Sequence, residues 1–207
     1  MKNSPLKSRE LEVMDVEKFF DQEIDEHLDV AILTRSSSSL RKQFVQLVKL
    51  SKDSVKRGNK IVFFGNGGSA ADAQHLATEL ACRYSQDRKP IAGLALTTDT
   101  SLLTAIGNDY GFKHNFERQV LALCRKGDVA IGITTSGKSE NVILALRAAK
   151  KIGMIAAAFG AGNGGNLKGL AKPLLLVPSK ITARIQEAHI MLGQMFCSAL
   201  EQELNLV

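Results

Sequence analysis

Cysteine is scarce in this chain and poorly placed to build anything. Cys82, Cys124 and Cys197 are the only three in 207 residues. They are odd in number, far apart and set in apolar segments, so neither a zinc-finger spacing nor a disulfide framework can be drawn. They are expected to be reduced core thiols of a cytoplasmic protein. Long hydrophobic runs are missing as well. No stretch reaches the roughly 20 residues that span a bilayer, and the N-terminus carries charge every few residues in place of an apolar signal core. Membrane insertion and secretion are therefore not expected. The two tyrosines sit in no RNA-binding motif, and the 27 Lys and Arg are dispersed. A net charge of +6 then suits an anionic small molecule better than nucleic acid. No Gly-Lys-Ser/Thr closes the glycine-rich turn at residues 65–70 as it would a P-loop, and no internal repeat is present.

What is there is an ordinary globular composition, 44% hydrophobic and 23% charged, long enough for a real core. Residues 1–14 read as frayed and polar. From Asp15 to Leu33, Val16, Phe19, Phe20, Ile24, Leu28 and Ala31 recur at helical spacing. Arg35–Ser39 is a break rich in N-cap candidates, and a second helix runs from Leu40 to Lys56 with Gly58 after it. The texture then changes. Residues 60–65, 91–97, 129–134, 155–160 and 174–178 are short, nearly continuous apolar runs separated by segments of helical spacing. Strands without alternation, separated by helices, predict a parallel sheet buried on both faces. The expectation is a single unit over residues 1–207. It comprises an N-terminal helical extension (15–57) and a doubly wound five-stranded α/β core (60–204), closed by a long helix from Thr182 to Leu204. In such folds ligands bind at the carboxyl ends of the strands.

Two turns lie at those ends. GNGGSA (65–70) follows the first strand and fits the G-x-G-x-x-A spacing of a dinucleotide site through Gly65, Gly67 and Ala70. The acidic residue that would follow the second strand, Asp99, stands 29 residues beyond Ala70, where about 20 are wanted. No nucleotide cofactor is therefore expected. TTSGKSENV (134–142) follows the third strand and opens a helix near Ser139. Thr134, Thr135, Ser136 and Ser139 bring four hydroxyls to the free N–H groups of a helix start, and Gly137 permits a close backbone approach. That pattern predicts a phosphate-dianion site over a simple N-cap.

The helix after the first turn carries His75 and Glu79 one turn apart, on a face shared with Asp72 and Arg83. The last helix is apolar nearly all round and reads as buried. Gln186, His189 and Gln194 interrupt it, and polar groups in such a helix need partners. At 100° per residue, Gln186 and Gln194 stand about 80° apart and can look into one cavity, with His189 about 60° to the other side. Contacts across a subunit interface would also satisfy them.

Together GNGGSAADAQHLATEL (65–80), AIGNDYGF (105–112), GITTSGKSENV (132–142) and ARIQEAHI (183–190) resemble the sedoheptulose-7-phosphate isomerase (phosphoheptose isomerase) family of the SIS, or sugar isomerase, fold. The resemblance covers residues 60–200. It implies a homotetramer with active sites at subunit interfaces and the conversion of a ketose phosphate to an aldose phosphate through an enediol. It implies substrate contacts from Asn66, Gly67, Gly68 and Ser69, from Asn108 and Asp109 in a second turn, from Thr134, Thr135, Ser136 and Ser139 around the phosphate, and from Gln186. It also implies zinc on His75, Glu79 and Gln186, with Glu79 as an acid/base residue.

The fourth metal position departs from the family. A histidine that doubles as second acid/base group is replaced by Gln194, whose amide ligates weakly and exchanges no proton near neutral pH. That second role would pass to a metal-bound water, to His189 or to Asp109. The same segments also resemble SIS-fold regulators that bind the bacterial replication initiator and that lack this histidine. Those relatives tend to lack the glutamate too, whereas Glu79 and both ligand loops are present here. A sugar-phosphate sensor without turnover is a third reading.

Overall fold

The structure, a computed structural model, describes residues 14–207; all but the last residue of the segment read as frayed lies outside it. Two helices come first, α1 (Val16–Ser36) and α2 (Ser38–Lys56). The serine-rich break between them has shrunk to a single residue. Ser37 ends α1 and caps α2, its hydroxyl accepting from Leu40 N at 3.2 Å. Asp15 caps α1 in the same manner through Lys18 N.

The core then alternates: β1 (Ile61–Gly65), α3 (Gly68–Ala81), β2 (Gly93–Ala95), α4 (Thr100–Asp109), α5 (Asn115–Leu123), β3 (Val129–Ile133), α6 (Glu140–Lys151), β4 (Ile155–Ala161), β5 (Leu174–Val177) and α7 (Thr182–Glu203). The five strands are all parallel in the order β2-β1-β3-β4-β5. One face is covered by α1, α2, α3 and α7 around Phe63, Leu76, Phe159 and Phe196. The other is covered by α5 and α6 around Phe64, Phe116, Val142 and Leu146. Strands buried on both sides have no solvent face to mark, which is why their sequence does not alternate.

Two departures from the expected pattern have local causes. β2 is three residues long instead of seven; it is an edge strand held only by β1, and Gly93 lies so close under α3 that an added Cβ would stand 2.8 Å from Leu80 Cβ. β4 and β5 are joined through a 3-10 turn (Gly165–Leu167), not a helix. The connecting stretch is rich in glycine and has no apolar stripe to seat a helix on the sheet.

α7 corrects a third expectation, since Met195 remains 48% exposed and only one face of the helix is buried in a single chain. Cys82 is exposed, so not every thiol is a core thiol. α1 keeps most of its apolar residues in solvent. Val16, Phe20, Ile24, Leu28 and Ile32, spaced by four, are all exposed.

Candidate active site

Strand order 2-1-3-4-5 reverses direction between β1 and β3, and the crevice at their carboxyl ends is where a doubly wound sheet opens to a ligand. Both glycine-rich loops sit there. In the first, Gly67 takes φ +56°, a conformation open to glycine alone at little cost, and so turns the chain from β1 straight into α3. Ser69 N and Ala70 N are taken up by Asn66 O and Gly67 O. Gly67 and Gly68 are exposed and their N–H groups take no part in the backbone hydrogen bonds of this turn, which leaves them free at the positive end of α3 for an anion or a sugar oxygen.

In the second loop, Ser139 occupies the N-cap of α6 without capping it. Its hydroxyl pairs instead with Thr134 Oγ1 at 3.0 Å, and Thr134 Oγ1 lies 3.5 Å from Ser136 Oγ. The plain N-cap alternative therefore fails here, because the hydroxyls are gathered together in front of the helix. Gly137, at φ +64°, packs so tightly that a Cβ would lie 2.6 Å from Gly164 O, and its own carbonyl accepts from Asn166 N. The loop after β4 thus braces the hydroxyl cluster from behind.

The two loops are clasped by a residue whose role the sequence reading missed. Asn141, buried in the first turn of α6, exchanges two amide hydrogen bonds with Asn66, at 2.9 and 2.8 Å. A polar residue just inside a helix start, where an apolar one could pack, was the only local signal. Beside the first loop a cavity of about 190 Å³ is lined by Gly65, Asn66, Gly67, Thr97, Phe112 and Asn115.

α3 and α7 lie side by side and bring the helical candidates together. Gln186 reaches over the first loop, close enough that a Cβ on Gly68 would stand 2.5 Å from its Nε2. About two turns further along both helices, His75 Nε2 lies 3.0 Å from Glu79 Oε1 and 2.8 Å from Gln194 Nε2. A single ring nitrogen cannot donate to a carboxylate and accept from an amide at once. Turning the Gln194 amide over makes Nε2–H a donor shared between two oxygens. Asp72, on the same helix, has Oδ2 buried without a partner. Its pKa is raised to about 6 by burial, against a smaller opposing pull from His75.

Three candidates lie outside this cluster of contacts. His189 is 1% exposed, its Nε2 donates to Gly160 O at 3.0 Å, and its ring packs against Phe159. Burial lowers its pKa to about 4, only partly offset by the Gly160 bond, so it is a neutral packing histidine that no ligand from solvent reaches. Asn108 and Asp109 belong to the last turn of α4 and not to a loop; both are exposed, and Asn108 Nδ2 donates to Asp109 Oδ1 at 2.7 Å. Asp99, read as the acid after β2, is the N-cap of α4, its Oδ1 accepting from Leu102 N.

A zinc ion would meet His75, Glu79 and the amides of Gln194 and Gln186. Among the described residues no three of His, Cys, Asp or Glu converge. One imidazole, one carboxylate and two weak amide oxygens do not fit zinc, which is held by thiolate, imidazole and carboxylate.

A SIS domain profile matches residues 29–161. A phosphoheptose isomerase of Paramagnetospirillum magneticum is 55% identical over 183 residues, covering 88% of this chain and 94% of its own. A solved phosphoheptose isomerase from Neisseria gonorrhoeae superposes with a TM-score of 0.82 at 41% identity, covering 90% of this chain and 99% of that one. One from Francisella tularensis gives 0.87 at 32% identity, covering 91% and 100%. The loops at the β1/β3 crevice and the His75–Glu79 turn above them are thus part of a chain that belongs to the phosphoheptose isomerase family of SIS-domain proteins.

Proposed function

We propose that this chain converts sedoheptulose 7-phosphate to D-glycero-D-manno-heptose 7-phosphate, an aldose–ketose isomerisation that supplies heptose for lipopolysaccharide precursors. The observation that carries the mechanism is the position of Glu79, a carboxylate on the helix that begins in the first ligand loop, 3.0 Å from His75 Nε2, which itself meets Gln194 of α7 at 2.8 Å. The phosphate dianion is received by Thr134, Thr135, Ser136 and Ser139 and by the N–H groups that open α6. Asn66, Gly67, Gly68 and Ser69 hold the sugar oxygens, with Gln186 closing over them.

Glu79 removes a proton from C1, and the C1–H electrons form the C1=C2 bond while the C2=O electrons move onto O2, giving an enediolate. The neighbouring O1 hydroxyl passes its proton to O2 within the cis-enediolate, and the carboxylic acid formed on Glu79 then returns its proton to C2 as O1 becomes the aldehyde oxygen. A single carboxylate on one face of the enediol serves both carbon positions, so neither His189 nor Asp109 is required. Gln186 and Gln194 contribute N–H groups that polarise the two oxygens where charge develops. No step is routed through a metal.

A homotetramer is part of the same proposal. The exposed apolar stripe of α1 supports it, since a contiguous patch of this kind marks an association surface. Size-exclusion chromatography with light scattering reads the oligomer, and a monodisperse monomer at micromolar concentration would remove this part. Localisation in the cytoplasm accords with the free thiols. No described helix is long and apolar enough to cross a membrane.

The test of the activity is deuterium incorporation from D2O into sedoheptulose 7-phosphate, followed by NMR alongside aldose formation. Wild type is expected to exchange and isomerise, and Glu79→Gln to do neither. Binding of the sugar phosphate by wild type with no exchange at C1 would leave a sensor or partner-binding protein in place of an enzyme.

A further inference from the structure

Arg88 stands in the loop between α3 and β2, outside every motif that marks the site, and its side chain is 1% exposed. Its guanidinium makes five hydrogen bonds. Nε donates to Glu201 Oε1 at 2.6 Å, Nη2 to Glu79 O at 2.7 Å and Nη1 to Leu80 O at 2.8 Å, with longer bonds from Nη1 to Cys82 O and Lys89 O. Glu201, also 1% exposed, lies near the end of α7 and takes Tyr84 N at 3.0 Å on the same oxygen.

An ordinary helix end leaves four carbonyls without an intrahelical partner, and water, a C-cap turn or a lysine satisfies them. Here a rigid fork is buried, and the carbonyls it engages in α3 belong to the very turn that carries Glu79. Its counter-charge comes from the helix that carries Gln186 and Gln194. Along the seam between these helices, Gln186 lies over Gly68, Gly193 packs on Leu76, Gln194 meets His75 and Glu201 meets Tyr84 N. The Cys197 thiol marks the space between, its pKa pushed up by burial and then by the carboxylates of Glu79 and Glu201. Helices packed through apolar side chains slide by small shears, and a buried ion pair at one end, held through Glu201 Oε1 alone, restricts that freedom.

We propose that the Arg88–Glu201 pair is a positioning device. It holds the last turn of α3, and with it the Glu79 carboxylate, in register with the Gln186–Gln194 face of α7. The inference rests on the reading of Glu79 as the base.

Removing one member would strand a buried charge and confuse folding with function. The double substitution Arg88→Met with Glu201→Leu removes both charges; because it also frees Tyr84 N and the carbonyls of Glu79 and Leu80, a thermal melt establishes its fold before kcat is read. A purely structural pair would then leave the enzyme unaffected. A positioning pair predicts a folded variant whose kcat falls by about 10- to 100-fold, the size of effect that misplacement by up to an ångström produces. Its KM and its affinity for inorganic phosphate stay within about twofold, because the Thr134–Ser139 loop is untouched. Arg88→Lys keeps the charge opposite Glu201 and loses the fork to Glu79 O and Leu80 O, so its kcat also falls at unchanged KM. A folded double variant with wild-type kcat overturns the proposal. Should the double variant fail to fold, full kcat in Arg88→Lys overturns it equally. The wild-type arm separates the two readings, since absence of exchange at C1 there removes the isomerase reading itself before any variant is compared.

Discussion

Gly68→Ala tests the site with one methyl group. Gly68 is the first residue of α3 and does not have a positive φ, so alanine fits its backbone. The added Cβ would lie 2.5 Å from Gln186 Nε2 and 2.9 Å from its Cδ, both at the far end of a flexible side chain. To restore an ordinary 3.4 Å contact the amide has to retreat by about 0.9 Å (3.4 − 2.5). Displacement of a group near the reacting atoms by about 1 Å can cost about 100-fold in rate, or about 2.7 kcal/mol of transition-state stabilisation. Stability should move in the other direction or not at all, because alanine in place of glycine in a helix gains up to about 1 kcal/mol. For a chain of this size that is roughly 2–4 °C in Tm. The assays are a coupled measurement of kcat/KM and a thermal melt. A value of kcat/KM within about threefold of wild type would show that Gln186 over the loop plays no part in the chemistry. A fall in Tm of more than about 5 °C would mean that the backbone and not Gln186 had yielded, and the mechanism would be wrong.

Three further outcomes follow from the same geometry. Asn141→Leu removes both amide bonds to Asn66 and should cost about 2–3 kcal/mol by denaturant titration, with KM for the sugar phosphate raised about tenfold as the loops lose register; unchanged KM would refute the clasp. Gln194→His places a second imidazole beside His75 and Glu79, and zinc affinity by calorimetry should rise at least 10- to 100-fold, the range that even outer-shell partners command; equal affinity would show that the Gln194 position does not face the same ligands. Asp72→Asn should stabilise the protein near neutral pH. The carboxyl has a folded pKa raised to about 6 from 3.8, so its ionisation opposes folding; that penalty is absent below about pH 4, grows through the interval and is complete above about pH 6. Melts of the variant and wild type should therefore coincide at pH 3.5 and separate at pH 7.5, with the variant higher. A constant difference across that range would place the effect in packing.

Much of the architecture was legible in the chain because its causes are local. A run such as Ile61–Gly65 has no polar residue to alternate, so it can only be a strand buried on both faces, and Gly67 beside it can only be a turn. Ser37, within the stretch read as rich in N-cap candidates, announced a helix start by the chemistry of its side chain. The hydroxyl-rich loop, proposed to receive the phosphate, was visible for the same reason, with four hydroxyls in six residues at the mouth of a helix.

The arrangement of the candidate site groups was decided elsewhere. Helical spacing places Gln186, His189 and Gln194 on one helix, but only the packing of α7 against α3 and β4 sends the glutamines to the Gly68–His75 side and buries His189 on Gly160 O. Asn66 with Asn141, 75 residues apart, and Arg88 with Glu201, 113 apart, leave no periodic trace, because each is a pairing between elements and not a property of either. Sequence pattern reports which face of an element avoids water. Which polar groups meet across two such faces depends on the register and rotation of whole elements, and those are set only when the sheet closes its core.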